Sequence, residues 1–349
     1  MLRSNPLVLR RLNNDYMNEK DKKYLEDHRY YASAVMFSTQ YPLSSPYANT
    51  TVLRTPDVVQ RGMLGSTDSF RGIDYLLNFR LDGSDIAFRA GLSKFYARDA
   101  ILSSALRHLR EDDEASIRLP KPIQMKASLS AVIKERRSER NYSGQALSIK
   151  ELSTILFSAQ GVTGSLLMNE PEGDVDRIEV RAHPSGGGMF PVSLYVGVNN
   201  VSGLKRGLFE YYPHSHSLHY IGSYTEENLA DSCDYGSLDA KKSSFAIFYG
   251  YNVLLNSNKY GDAGLAYAFI ETGEMAMNAQ LAATALGIGA CDLGGYRKHN
   301  LEEMLGLDGV YEHTAQGTKM FYDTGSSSMD YSNRMTSLCG ICFPGDVAP

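Results

Sequence analysis

Tryptophan is absent from the 349 residues, and cysteine is scarce, with four. So few thiols in so long a chain exclude a disulfide scaffold and point to a reducing compartment, the cytoplasm. No stretch of about 18 uncharged apolar residues exists, so no membrane span is expected. The apolar patch from Pro6 to Leu9 is broken by Arg10 and Arg11, which leaves it too short for a signal-peptide core. Positive charge is in deficit: 35 Lys and Arg stand against 40 Asp and Glu, a net charge of -5. A nucleic-acid-binding surface wants the opposite balance. What is present is ordinary for a globular protein: 43% hydrophobic and 21% charged residues suffice for a full core.

Two segments divide the chain. The acidic run Glu111-Asp112-Asp113-Glu114 leads into Leu119-Pro120-Lys121-Pro122, a charged and proline-punctuated linker. Residues 1–119 mix helix-like pieces (16–31, 97–109) with a turn-rich stretch over 41–70, and serve as a dock or a cover. Residues 120–349 carry the readable chemistry. A helix is expected over 129–136 with Ser128 or Ser130 at its N-cap. Ser148-Ile149-Lys150-Glu151 is a capping box for a second helix that Gly161 ends. Strands are expected over 191–198, 245–249 and 290–293. A hairpin joins 209–212 to 218–221. A long, Ala- and Met-rich helix over 263–286 has little polar surface and is expected to be covered on most sides. Asn300 would cap a short helix over 301–305. Strands and helices mix without a regular βαβ count, so the fold class is α+β.

Four constellations carry chemistry. In Arg136-Arg137-Ser138-Glu139-Arg140, alternate positions place Arg136, Ser138 and Arg140 on one side of an extended segment. Two guanidiniums and a hydroxyl match a phosphate monoester; the alternative is a solvated basic helix end. In His183-Pro184-Ser185-Gly186-Gly187-Gly188, the glycines allow close approach of backbone to a flat ring, or form a plain loop. This loop is not a GxGxxG that opens a helix, so a dinucleotide site is not expected. Leu293-Gly294-Gly295 can present N–H groups to a ring edge, or merely turn the chain. Lys259-Tyr260 just before the long helix can supply a general base at neutral pH; the alternative is a snorkelling lysine beside a packed tyrosine. A phosphate at one end and a flat ring at the other describe flavin mononucleotide (FMN).

No metal site is expected. His214, His216 and His219 lie in or beside the hairpin turn without a carboxylate or Cys at ligand spacing, and read as a wet turn. Cys339 and Cys342 read as buried thiols on opposite faces of a strand. Glu271, Glu274 and Asn278 of the long helix read as partners of interior polar groups.

These motifs, in this order, resemble the nitroreductase flavoprotein superfamily. More narrowly they resemble its peptide azoline dehydrogenase branch, the SagB or McbC type. The similar stretch runs from about Lys121 to Asp308. It is carried by Arg136 to Tyr142, Phe157 to Gly164, Arg181 to Pro191, Tyr260-Gly261, Glu271-Thr272-Gly273 and Leu281 to Cys291. The resemblance implies a central mixed or antiparallel sheet flanked by helices, and a homodimer with FMN at the subunit interface. Arg136, Ser138 and Arg140 would hold the phosphate. Pro184, Ser185, Gly186 and Gly187 would line the isoalloxazine, with Leu293, Gly294 and Gly295 at its other edge. Lys259 and Tyr260 would be the catalytic pair.

The implied reaction oxidises thiazoline or oxazoline rings of a ribosomally made precursor peptide to thiazole or oxazole, as in bacteriocin maturation, beside cyclodehydratase partners. An NAD(P)H-dependent nitro- or flavin reductase, and an inactive scaffold of a peptide-modifying complex, are the alternatives. Two features depart from the family. Phe343-Pro344-Gly345-Asp346 lacks the arginine with which the family closes on the phosphate, leaving Arg334 or Lys319 as substitutes. Residues 317–333 resemble an insertion.

Overall fold

A computed structural model describes residues 86–95, 115–140, 142–168, 176–225, 242–293 and 296–322, with a few isolated positions besides. Its elements follow from local signals. Helix α1 is Ile86–Lys94 and strand β1 is Ile117–Arg118. Helix α2, Leu129–Glu135, starts where the Ser128 side chain accepts the Ala131 N–H. Strand β2, Leu147–Ser148, runs into α3, Ile149–Gln160. There Ser148 Oγ accepts the Glu151 N–H, and Glu151 Oε2 accepts the Ser148 N–H at 2.7 Å. Gly161 caps its end. Strands β3, Val162–Met168, and β4, Asp176–Arg181, pair antiparallel as a separate ribbon.

The main sheet uses β5, Val192–Val198; β7, Gly207–Tyr212; and β8, Ser217–Gly222, while the short β6, Val201–Ser202, pairs with β2. Strand β9, Phe245–Asn252, precedes α4, Val253–Tyr260, and α5, Ala263–Ala285. Strand β10, Ile288–Leu293, α6, Lys298–Leu305, and β11, Glu312–Tyr322, complete the described elements. The seven-stranded order is β1-β8-β7-β5-β9-β11-β10, and each neighbouring pair is antiparallel.

Strand β9 shows why the sheet lies in the middle. Phe245, Ile247, Tyr249 and Tyr251 join a core shared with Leu152, Ile155 and Leu156 of α3 and Met275 and Ala279 of α5. Ala246 and Phe248, of opposite parity, join a second core with Leu301 and Leu305 of α6. Alternate side chains of one strand face opposite ways, so a continuous apolar run can fill both layers. These elements belong to the compact unit Leu81–Pro349.

The structure corrects several expectations. Within a single copy, helix α5 leaves Phe269, Ile270 and Met277 54%, 58% and 46% exposed. Asn300 does not cap α6. The helix starts at Lys298, because Glu302 Oε1 accepts from Lys298 Nζ and from the Thr314 N–H of β11, anchoring the first turn. Of residues 317–333, expected as an insertion, 317–322 form the second half of β11, between β9 and β10, and 323–333 lie outside the described residues.

Of the histidines expected in a wet turn, His214 is exposed, whereas His216 is tied into the protein. His216 Nδ1 meets Tyr211 Oη at 2.8 Å and its Nε2 meets Ser153 Oγ at 2.8 Å. His214 pairs with Glu179, and His219 stacks on Tyr212. The helix over 16–31, all but Ala100 and Ser103 of the helix over 97–109, Cys339, Cys342, Arg334 and residues 343–346 lie outside the described residues.

Candidate functional site

The glycine loop is built on strained backbone. After β4, Gly187 and Gly188 adopt φ of 62° and 67°, and Phe190, a residue with a Cβ, adopts 43°. Such a value in a bulky residue needs support from its surroundings. Ser185 supplies it: its Oγ accepts the Phe190 N–H at 2.9 Å and donates to Glu271 Oε2 of α5 at 2.5 Å. The Ser185 hydroxyl is therefore spent inside the protein rather than on a ring edge. Pro184, Gly186, Gly187 and Gly188 are exposed, and Ser185 half-buried.

Behind the loop lies a buried polar cluster. Glu271 is 2% exposed, and its Oε1 stands 3.5 Å from His183 Nε2. His183 Nδ1 faces the Ala159 carbonyl at 3.1 Å, so it carries the proton that this contact needs. Asn278 donates to the Ala182 carbonyl. Burial raises the pKa of Glu274 on the same helix, with His183 opposing and Glu271 adding to the rise. Glu271 and Asn278 thus serve interior polar groups, as their place in an apolar helix implies.

Lys259 and Tyr260 lie directly against this loop. A Cβ added at Gly187 would fall 2.2 Å from Tyr260 Oη and 2.4 Å from Lys259 Nζ. Both functional ends therefore crowd one point, the side-chain-free face of Gly187. Lys259 Nζ also lies 3.4 Å from the Gly187 carbonyl. It stands 5.2 Å from the ring centroids of both Tyr260 and Phe95. Burial lowers the lysine's pKa from its ordinary value, which favours the neutral amine. Tyr260 packs edge-on against Tyr267 at 5.0 Å, and Tyr267 underlies Gly186.

The arginine run occupies the segment after α2. Ser138 bridges Ala290 of β10 in parallel, and the Glu139 N–H donates to the Ala290 carbonyl. Arg136 Nη1 donates to Gln280 Oε1 at 3.0 Å, and Gln280 Nε2 donates to Asp292 Oδ2 at 2.7 Å. Arg140 Nη1 reaches the Ser138 carbonyl at 3.3 Å and its side chain is exposed. Among the described residues neither Arg136 nor Arg140 has a carboxylate within ion-pair distance.

The run and the loop attach to the same helix, at Gln280 and Glu271, roughly 14 Å apart at 1.5 Å per residue. Leu293 ends β10 buried, whereas Gly294 and Gly295 lie outside the described residues.

The nitroreductase family profile matches residues 133–318. The chain belongs to the nitroreductase family. A nitroreductase-family protein of Methanocaldococcus jannaschii is 32% identical over 199 residues, 55% of this chain and 90% of that protein.

Among solved structures, a nitroreductase-type protein of Anabaena variabilis shares 22% identity at a TM-score of 0.49, over 60% of this chain and 41% of that one. This chain thus spans less than half of the Anabaena protein. A chain of the Escherichia coli microcin synthetase McbBCD complex, solved with truncated pro-MccB17 bound, shares 20% identity at a TM-score of 0.45. That match covers 72% of this chain and 87% of the other. Family membership makes the chain a nitroreductase-type oxidoreductase. Its antiparallel sheet between helical layers is the expected α+β architecture.

Sequence reasoning missed Phe95, Tyr267, Gln280 and the Ser185–Glu271 bond. None has a local signal, because each acts through a contact remote in sequence. Phe95 also lies before the expected linker, in the stretch given no chemistry.

Proposed function

We propose that this nitroreductase-family chain is an FMN-dependent dehydrogenase of peptide azolines. Its substrate would be a thiazoline or oxazoline ring in a ribosomally made precursor peptide, delivered by cyclodehydratase partners. One observation carries the reading: Lys259 and Tyr260 converge on the bare face of Gly187. A reductase fed by a nicotinamide needs no base there, whereas an azoline must lose a Cα proton as well as a Cβ hydride.

Two features of this chain fit FMN. The exposed stretch Gly186–Gly188 offers backbone without side chains to a flat ring. Arg136, Ser138 and Arg140 offer donors that no carboxylate among the described residues neutralises. Pro184, Ser185, Gly186, Gly187 and Leu293, with Gly294 and Gly295, would line the ring. Ser185 would do so through its backbone, since its hydroxyl is engaged with Glu271.

FMN, when bound, supplies the two-electron acceptor for the hydride. The chain's own share is the proton. The Tyr260 hydroxyl and the Lys259 amine form one acid–base pair, and a neutral amine lets the pair accept the Cα proton. Loss of that proton and of the hydride leaves the new ring double bond, so each ring becomes lighter by two hydrogens. Gly187 keeps the space beside both groups open, and Phe95 and Tyr267 wall it. The exposed Phe269, Ile270 and Met277 of α5 would be covered by a second copy, giving the homodimer.

Mass spectrometry of an azoline peptide incubated with the flavin-loaded protein tests the reading. Loss of two hydrogens per ring in the wild type, absent in Lys259→Ala and Tyr260→Phe proteins that still bind FMN, is expected. Rapid bleaching of the flavin by NADPH with no change in the peptide would replace it with the reductase reading. A protein that refuses added FMN would replace it with the scaffold reading.

A further inference from the structure

Gln280 of α5 stands between two side chains of opposite charge. Its Oε1 accepts from Arg136 Nη1 at 3.0 Å, and its Nε2 donates to Asp292 Oδ2 at 2.7 Å. Gln280 is 4% exposed, whereas Arg136 is half-buried and Asp292 exposed. An arginine can only donate, and a carboxylate can only accept. The amide must therefore turn its oxygen to Arg136 and its nitrogen to Asp292. Each bond holds the other in place.

The backbone around Arg136 is held as well. The Arg136 N–H donates to the Val132 carbonyl of α2. The Glu139 N–H donates to the Ala290 carbonyl of β10, and Ser138 bridges the same residue. The arginine side chain thus leaves a fixed backbone and ends against a fixed amide. One of its five guanidinium N–H groups is used on Gln280. The guanidinium makes no other hydrogen bond or ion pair among the described residues.

The chemistry of the partner matters. A long side chain loses rotamer freedom when it closes on a ligand, and holding it beforehand removes part of that cost. A glutamate at 280 would hold Arg136 too, but would cancel its charge. A carboxamide holds the guanidinium and leaves its charge for an anion.

We propose that Gln280 is a positioning residue of the phosphate site. It presets Arg136 for the FMN phosphate without neutralising it, and Asp292 fixes the direction of its amide. This rests on the reading of Arg136 as a phosphate ligand.

FMN and riboflavin differ only in the phosphate, so their dissociation constants for the full chain, measured by flavin fluorescence in mildly alkaline buffer, test this. The wild type should bind FMN more tightly than riboflavin. Gln280→Met removes both bonds, and Gln280→Glu neutralises Arg136. Each should weaken FMN by roughly tenfold or more and leave riboflavin unchanged. In an Arg136→Met background, Gln280→Met should cause no further loss of FMN.

Equal weakening of FMN and riboflavin overturns the proposal, since it marks a merely structural side chain. So does unchanged FMN affinity in either folded variant, or a full further loss in the Arg136→Met background. A wild type that binds riboflavin as tightly as FMN refutes Arg136 as a phosphate ligand, and this proposal with it. A wild-type preference for FMN that survives Gln280→Met refutes the role of Gln280 alone. If the Gln280 variants do not fold, the exposed Asp292 decides. Asp292→Asn and Asp292→Ala both remove its charge, but only the second removes the acceptor. The preference for FMN should be weaker in Asp292→Ala, and equality of the two overturns the proposal.

Discussion

Lys259 shows how much a single residue's setting matters. Its burial beside Phe95 and Gly187 lowers its pKa, so the neutral amine appears at lower pH than for an exposed lysine. If the amine accepts the substrate proton, turnover must rise with pH and level off below the ordinary lysine value of 10.5. A pH–rate profile of the flavin-loaded protein checks this, and Lys259→Met should abolish the rising limb. Loss of a general base costs about 10²–10⁴ in rate, which steady-state kinetics on Lys259→Met and Tyr260→Phe will read.

Gly187 gives an independent check. Its φ of 62° and the nearness of Tyr260 Oη both forbid a Cβ. Gly187→Ala should cost about 1–3 kcal/mol in backbone strain and displace the lysine and tyrosine. Its melting temperature and its turnover should fall together. Normal turnover in that variant would argue that the pair does not work at this point.

At the scale of elements, α3 and α6 are held by different means. Helix α3 is set by its own sequence. The reciprocal Ser148–Glu151 bonds fix its start, and Leu152, Ile155, Leu156 and Ala159 face the sheet, fully buried. Ser148→Ala should cost about 1 kcal/mol and Leu156→Ala about 2–5 kcal/mol in denaturant unfolding. Helix α6 is set from outside. Glu302 is 5% exposed, accepts from Lys298 and from the β11 backbone at Thr314, and its pKa is lowered by those bonds. A capping signal at Asn300 was legible in the sequence but lost to this contact with β11. The same reason hid the second half of β11: residues 317–322 make a strand because β9 and β10 lie ready on either side.

At the scale of the whole molecule, the linker and the sheet are latched by His216. Its ring bonds Ser153 of α3 and Tyr211 of β7, and its Nε2 lies 3.3 Å from the Pro120 carbonyl. Burial lowers its pKa below 6.5. The unfolded chain thus takes up a proton before the folded one does. The stability it contributes is complete above about pH 6.5 and is lost as pH falls through the folded value. Thermal melts between pH 7 and pH 5 should show that loss, and His216→Gln should flatten it. The exposed strip of Phe269, Ile270 and Met277 makes a prediction of its own. Phe269→Lys should shift the protein toward monomer in sedimentation, whereas a wild type already monomeric would remove the second copy.

The sequence alone determined the α+β class, the cap of α3, the hairpin between β7 and β8, and the buried strand β9. It also marked the arginine run, the glycine loop and the Lys259-Tyr260 pair, because each depends on residues adjacent along the chain. Only the tertiary structure decided that Ser185 turns inward to Glu271, that Gly187 meets Lys259 and Tyr260, and that Arg181 and Gln160 line one cavity. Those facts join positions from 20 to 90 or so residues apart, and a linear pattern carries no record of which remote side chain will arrive at a given point.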